Sequence, residues 1–317
     1  MKVLVRHFFS SLLHPETASG DDGFVEWLAQ LLGVLIAACW LLPAYALHGR
    51  YAYLHGLTSP EPYRRTLEGH FMMTLALVMV LVTLITALEW PMLFPSRRDH
   101  LVLSPLPIPR LHLYAAKLVA VLAFVSIFIA ATAGVLGVTL PAVSFGVHET
   151  HGFLASIAAH LAGALGAAYF TFFALFALQG ALALLLPVSW FAPVSLSVQS
   201  AFLLAALCAF PLLPYFPARD LVATAWLPPA WFNAVKAWLL GEPQTLAMLG
   251  GLALALVIAG TLAAYAVAYA RFARQALDAP TSRRASWRWP ARAGIDEFLW
   301  QTLTRGRDQK LVWLLIA

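Results

Sequence analysis

The sequence predicts an all-α fold: a polytopic transmembrane helix bundle of six spans, with an N-terminal interfacial helix before it and the start of a seventh span after it. Three observations carry this expectation. Hydrophobic residues make up 61% of the 317 and charged residues only 11%, where an average soluble domain is about a quarter charged. Six apolar runs reach the ~20 residues needed to cross a hydrocarbon core ~30 Å thick. The runs are continuous rather than alternating, and only helices or closed barrels satisfy their backbone groups in lipid.

The elements follow in order. Residues 1–16 set Phe8, Phe9, Leu12 and Leu13 against Arg6, His7 and Ser10, which predicts a short helix over 3–13 lying on the inner leaflet. Its apolar core is too short, and its flanks wrong, for a cleaved signal peptide. Spans at about 25–47, 71–94, 118–141, 153–187, 194–216 and 246–270 form a transmembrane domain over 24–270. The fourth run exceeds one upright crossing, an excess that tilt or a kink absorbs. Gly163 and Gly166 within it suit close helix–helix approach. Between spans five and six, Trp226, Trp231, Phe232 and Trp238 fit the amphipathic belt at the outer surface. Residues 271–310 are basic and broken by proline (SRRASWRWPAR), a composition suited to an anionic inner leaflet. The run 311–317 is apolar but too short to span, which predicts a chain that continues beyond Ala317.

Charge sets the orientation. With the N-terminus cytoplasmic, the outer segments hold only Arg50, Arg64, Arg65, Arg219 and Lys236, and the other 15 of the 20 Lys and Arg residues fall inside. Basic residues concentrate in cytoplasmic loops, so the net charge of +5 reads as topology and not as nucleic-acid binding. Cys39 and Cys208 both lie in apolar runs, where free cysteine behaves as a small hydrophobe. They form neither a disulfide framework nor a metal site.

The most distinctive stretch is SRRDHLVLSPLPIPRLHLYAAKL, residues 96–118, between the second and third runs. Pro91 and Pro95 end the second helix, because proline cannot continue the backbone ladder. After the charged opening of Arg97, Arg98 and Asp99, residues 99–103, with His100 and Leu103, are expected to form a short helix. Ser104-Pro105 breaks it before the Pro107/Pro109 turn, and Arg110 and Lys117 lead into the third span. An ordinary positive-inside loop accounts for Arg97 and Arg98 alone, but not for the full string. That string resembles the cytoplasmic coupling segment between the second and third membrane helices of type-2 ABC exporter permeases. There a charged opening, leucines, a small residue with Pro-Leu, and a turn precede a Lys-Leu helix start. Here His100-Leu101 stands where the family has Gly-Thr.

The resemblance covers nearly the whole chain in layout, and it implies short re-entrant helices at about 227–240. It also implies a permease subunit of a bacterial plasma membrane exporter, multi-pass, with a cytoplasmic N-terminus, embedded in membrane lipid. Its partners would be an ABC ATPase subunit and a second permease half. The chain itself would bind no cofactor and would not be an enzyme; ATP and Mg would sit on the ATPase. Arg97, Arg98, Asp99, His100, Leu103, Ser104, Pro105, Arg110 and Lys117 would form the coupling surface. Consistent with this, the sequence has no G-x-x-x-x-G-K-[ST] phosphate loop and no G-x-S-x-G elbow.

Two rival readings rest on other residues. Glu89 is the acid placed deepest in a span, and an intramembrane carboxylate is a candidate proton group for a secondary transporter. Its position just before Pro91 favours an interfacial ion pair with Arg97 or Arg98 instead. His160 and Gln179 are the other intramembrane polar candidates, and His160 reads as a hydrogen-bonded residue of a helix bundle. His148-Glu149-Thr150-His151 is the weak metal candidate. With the Trp226–Trp238 surface it would serve an outer-face enzyme or assembly factor. The spacing is HExH, not the HExxH that puts two histidines on one helical face, so a solvated loop is the expectation there.

Overall fold

The computed structural model describes residues 4–6, 8–9, 21–90, 93, 110–215, 226–242 and 245–278. These are helical with no strand among them, as the apolar runs predict. The chain divides into two compact units, Met1–Ala273 and Arg274–Ala317. The first is the helix bundle. Of the second, residues 274–278 are described and are helical.

Helix α1 runs Asp21–His55, α2 Glu61–Leu88, α3 Arg110–Ile129, α4 Val135–Ser144, α5 Phe153–Leu185, α6 Val188–Ala209, α7 Pro228–Leu239 and α8 Thr245–Asp278. A single π-turn, Ala130–Gly134, joins α3 to α4, and a 3₁₀ segment, Phe210–Tyr215, follows α6. Six helices are long and apolar enough to cross a membrane, counting α3, the π-turn and α4 as one span. The chain is a multi-pass membrane protein. Several boundaries move outward from the hydropathy limits: α2 begins at Glu61, not at 71, and α8 continues past 270 to Asp278. The charged residues Glu61, Arg64, Arg65 and Glu68 therefore lie on helix beyond the apolar slab.

The centre is built by α2, the α3–α4 span and α5. Phe71, Leu75, Val78 and Val82 of α2 are buried, at the three- and four-residue spacing that keeps side chains on one face. Ala164, Ala168, Phe172 and Phe176 do the same on α5. A Cβ on Gly137 of α4 would stand 3.0 Å from the Cα of Leu161. That glycine is what lets the third and fourth spans approach backbone to backbone. By contrast, α1 and α8 carry broad exposed apolar faces, including Leu42 and Tyr45, and Leu252 and Leu256.

Two peripheral pieces are docked onto this centre. In the N-terminal stretch, residues 4–6 and 8–9 are helical, and Phe8 is buried. The Lys117 ammonium stands 5.1 Å from the centre of the Phe8 ring, and Phe9 meets Phe124 edge-on at 6.5 Å. At the opposite end, α7 is not laid on a surface belt. It buries Phe232, Asn233 and Lys236 against α2 and α5, leaving Trp226 and Trp238 outward.

Candidate functional site

The end of the bundle that the charge count places outside holds a dense polar cluster. Pro60 opens α2, and the helix start brings Tyr63, Arg64 and Glu68 onto the end that faces the α4–α5 loop. Tyr63 Oη–H donates to Glu149 Oε2 at 2.9 Å and to the Ser144 carbonyl at 3.1 Å. His55 Nε2 lies 2.9 Å from the same carbonyl. A carbonyl only accepts, so Nε2 carries a proton, and the buried Nδ1 is without a partner. His148 Nε2–H likewise donates to the Leu57 carbonyl at 2.9 Å. Tyr51 Oη pairs with His70 Nδ1 at 2.9 Å. The His55, Tyr63 and His148 rings lie tilted against one another, with centroids within 6 Å. A Cβ on Gly146 would collide with the His55 ring.

This network staples the α1–α2 turn to the α4–α5 loop, and it corrects the expectation of a solvated loop. His148 and Glu149 are half-buried and bonded. They do not converge with His160, which sits in the bundle against Phe71 at 4.6 Å. Its Nδ1–H donates to the Ser156 carbonyl at 2.8 Å, leaving Nε2 unpartnered. Among the described residues, no group of three or more His, Cys, Asp or Glu side chains is arranged to hold a metal ion. Tyr63→Phe removes the one O–H shared between the Glu149 carboxylate and the Ser144 carbonyl, and is expected to cost about 1–3 kcal/mol. Arg65→Ala breaks only an exposed i,i+4 ion pair with Glu61, worth about 0.2–0.5 kcal/mol. Thermal unfolding of both variants in detergent checks the ranking, and equal shifts would contradict it.

Next to the staple lies a pocket of about 70 Å³, lined from α2, the α4–α5 loop and α7. Asn233 and Lys236 lie one helical turn apart on α7 and are each only 6% exposed. The Lys236 Nζ stands 5.0 Å from the centre of the Phe71 ring. Burial pushes its ammonium down from the usual lysine range, while the carboxylates of Glu68, Glu242 and Glu149 act the other way. The sequence flagged neither residue. The available signal was a polar pair at i,i+3 within a helix whose other inward residues are apolar.

At the other end of α2, the intramembrane candidates resolve into helix termination. Pro91 has no N–H to give the Ala87 carbonyl, and Gln199 Nε2–H of α6 supplies the bond at 2.8 Å. Gln179 Nε2–H of α5 donates to the Trp90 carbonyl at 2.8 Å, and Trp90 Nε1–H donates to Ser195 Oγ at 2.8 Å. Glu89 caps α2 as a half-buried residue, at the helix end where its place before Pro91 puts it. Its expected pairing with Arg97 or Arg98 lies outside the described residues. So do Arg97, Arg98, Asp99, His100, Leu103, Ser104 and Pro105. Arg110 is the first residue of α3. Lys117 is corrected: it is 3% exposed and faces Phe8, not an open coupling surface. Compared with known proteins, the chain matches no family model, no curated protein and no solved structure.

Proposed function

We propose that this chain is the membrane-spanning permease subunit of an ABC-type exporter of the bacterial plasma membrane. It would work with a separate ATPase subunit and a second permease half. The observation that carries the reading is the joint at the start of the third span. The N-terminal helix is clamped there by Phe8 on Lys117 and by Phe9 on Phe124, at the point where the string 96–118 enters α3. A load applied to that string would enter the bundle through α3, against which Phe8 and Phe9 pack. The six spans and the helical α7 piece between the fifth and sixth also support it.

The test is co-purification of the full-length protein from its native membranes, asking whether an ATPase subunit accompanies it. Arg97→Glu with Arg98→Glu is expected to abolish that association, because like charge at a close protein–protein contact costs several kcal/mol. Membrane insertion of the variant should be unchanged. An accompanying ATPase that is indifferent to the double reversal would remove the string from the coupling role. No accompanying ATPase would sink the reading.

A further inference from the structure

The pocket beside the staple is built for a ligand that has two ends of opposite charge. Its mouth is formed by exposed Arg64 and Glu242, its wall by half-buried Glu68 and Glu149, and its floor by buried Asn233 and Lys236. Glu149 already accepts from Tyr63. Among the described residues, no carboxylate lies within 4.0 Å of Lys236 Nζ, and Asn233 Oδ1 has no hydrogen-bond partner. A buried polar group left unpaired costs about 1–3 kcal/mol; Asn233 Oδ1 is one such group, and beside it Lys236 lines the pocket with no carboxylate of the described residues paired to it, so the two mark a site that a ligand completes. A plain anion entering there meets three carboxylates, and a plain cation meets Lys236 and Arg64. Neither is complementary. A zwitterion is: its ammonium end suits Glu68 and the Asn233 oxygen, and its anionic end suits Lys236 and Arg64.

We infer that this pocket binds a small zwitterionic group, a primary ammonium joined by a short spacer to an anionic oxygen group, of the kind carried by a phosphatidylethanolamine head group or by a free amino-phosphate. Exposed Trp238 and Leu239 follow on α7, and such side chains suit the lipid interface. The inference stands on the pocket alone and does not require the transport reading.

The experiment uses the full chain reconstituted in phosphatidylglycerol vesicles containing either phosphatidylethanolamine or phosphatidylcholine. Lipid retained after gentle extraction is read by native mass spectrometry. Phosphatidylethanolamine should be retained at least about tenfold over phosphatidylcholine, whose methylated nitrogen has no N–H for Glu68 or Asn233. Lys236→Met and Glu68→Gln should each cut that retention about tenfold. Because Lys236 is buried and its variant can fail to fold, Glu68→Gln, on the half-buried wall, is decisive by itself. Free O-phosphoethanolamine distinguishes the sources. Displacement of the lipid by it identifies the head group as the ligand, and lipid retained in its presence identifies the whole lipid. Equal retention of the two lipids by the unaltered chain overturns the proposal. So does retention unmoved in a Glu68→Gln protein that unfolds at the normal temperature.

Discussion

Gly163→Leu is expected to unseat α7 and to destabilise the bundle by about 3 kcal/mol or more, the upper end for forcing extra carbons into a packed core. A Cβ at Gly163 would stand 3.0 Å from the Phe232 carbonyl oxygen and 3.0 Å from Phe71 Cζ. The first of these is backbone of α7 and the second belongs to a ring with no exposed surface, so neither can give cheaply. Gly166 is close behind, with Phe232 Cδ1 at 2.9 Å, and Gly250 of α8 faces the Trp231 carbonyl oxygen at 3.1 Å. Glycines on two helices thus cup successive residues of α7. Lipid tails are as apolar as the side chains they replace, so close packing, not exclusion from water, holds membrane helices together. Nothing compensates when that packing is lost. Two neighbouring residues supply the control. Gly250→Ala should destabilise, whereas Gly251, with open space around it, should gain roughly 0.5–1 kcal/mol from alanine's helix preference. Unfolding in mixed micelles by a denaturing detergent measures all three. If Gly163→Leu unfolds with the unaltered protein, α7 does not pack there.

Those glycines also show where the sequence stops being legible. Gly163 and Gly166 were readable as a close-approach stripe, but small residues are common throughout this chain. What approaches them is α7, which turns inward and brings Phe232 onto both glycines. The six spans were legible because length and apolarity are properties of single segments. Their ends were not: hydropathy marks the lipid slab, and α2 continues through Glu61, Arg64, Arg65 and Glu68 beyond it. That extension brings Tyr63, Arg64 and Glu68 to the pocket. Helix α7 itself was predicted at 227–240 and runs Pro228–Leu239. The resemblance implies a re-entrant piece there, whereas composition alone suggests a surface belt, because the tryptophans lie on one face and Asn233 and Lys236 on the other. The His148–His151 string was conspicuous in sequence, yet its bonds run to Leu57 and Tyr63, residues remote in the chain.

The break at the end of α2 makes a second prediction with opposite consequences for two similar side chains. Gln199→Leu leaves the Ala87 carbonyl without its side-chain donor, keeping only the N–H of the capping Glu89 two residues on. Losing the main donor of a buried acceptor is expected to cost about 1–3 kcal/mol. Gln179→Leu should cost less. The Trp90 carbonyl keeps a second donor, the Leu93 N–H at 3.4 Å. Leucine also removes Gln179 Oε1, itself buried without a partner. Replacing a half-satisfied polar group by an apolar one of similar shape is nearly neutral. The same detergent titration ranks the two, and a larger loss for Gln179→Leu would refute this account of the helix end. The stub matters for function because the string 96–118 hangs from it. In the proposed permease, Gln199→Leu should loosen the anchor of that string and lower stimulation of the partner ATPase by more than its effect on folding accounts for. Gln179→Leu should leave the stimulation close to normal.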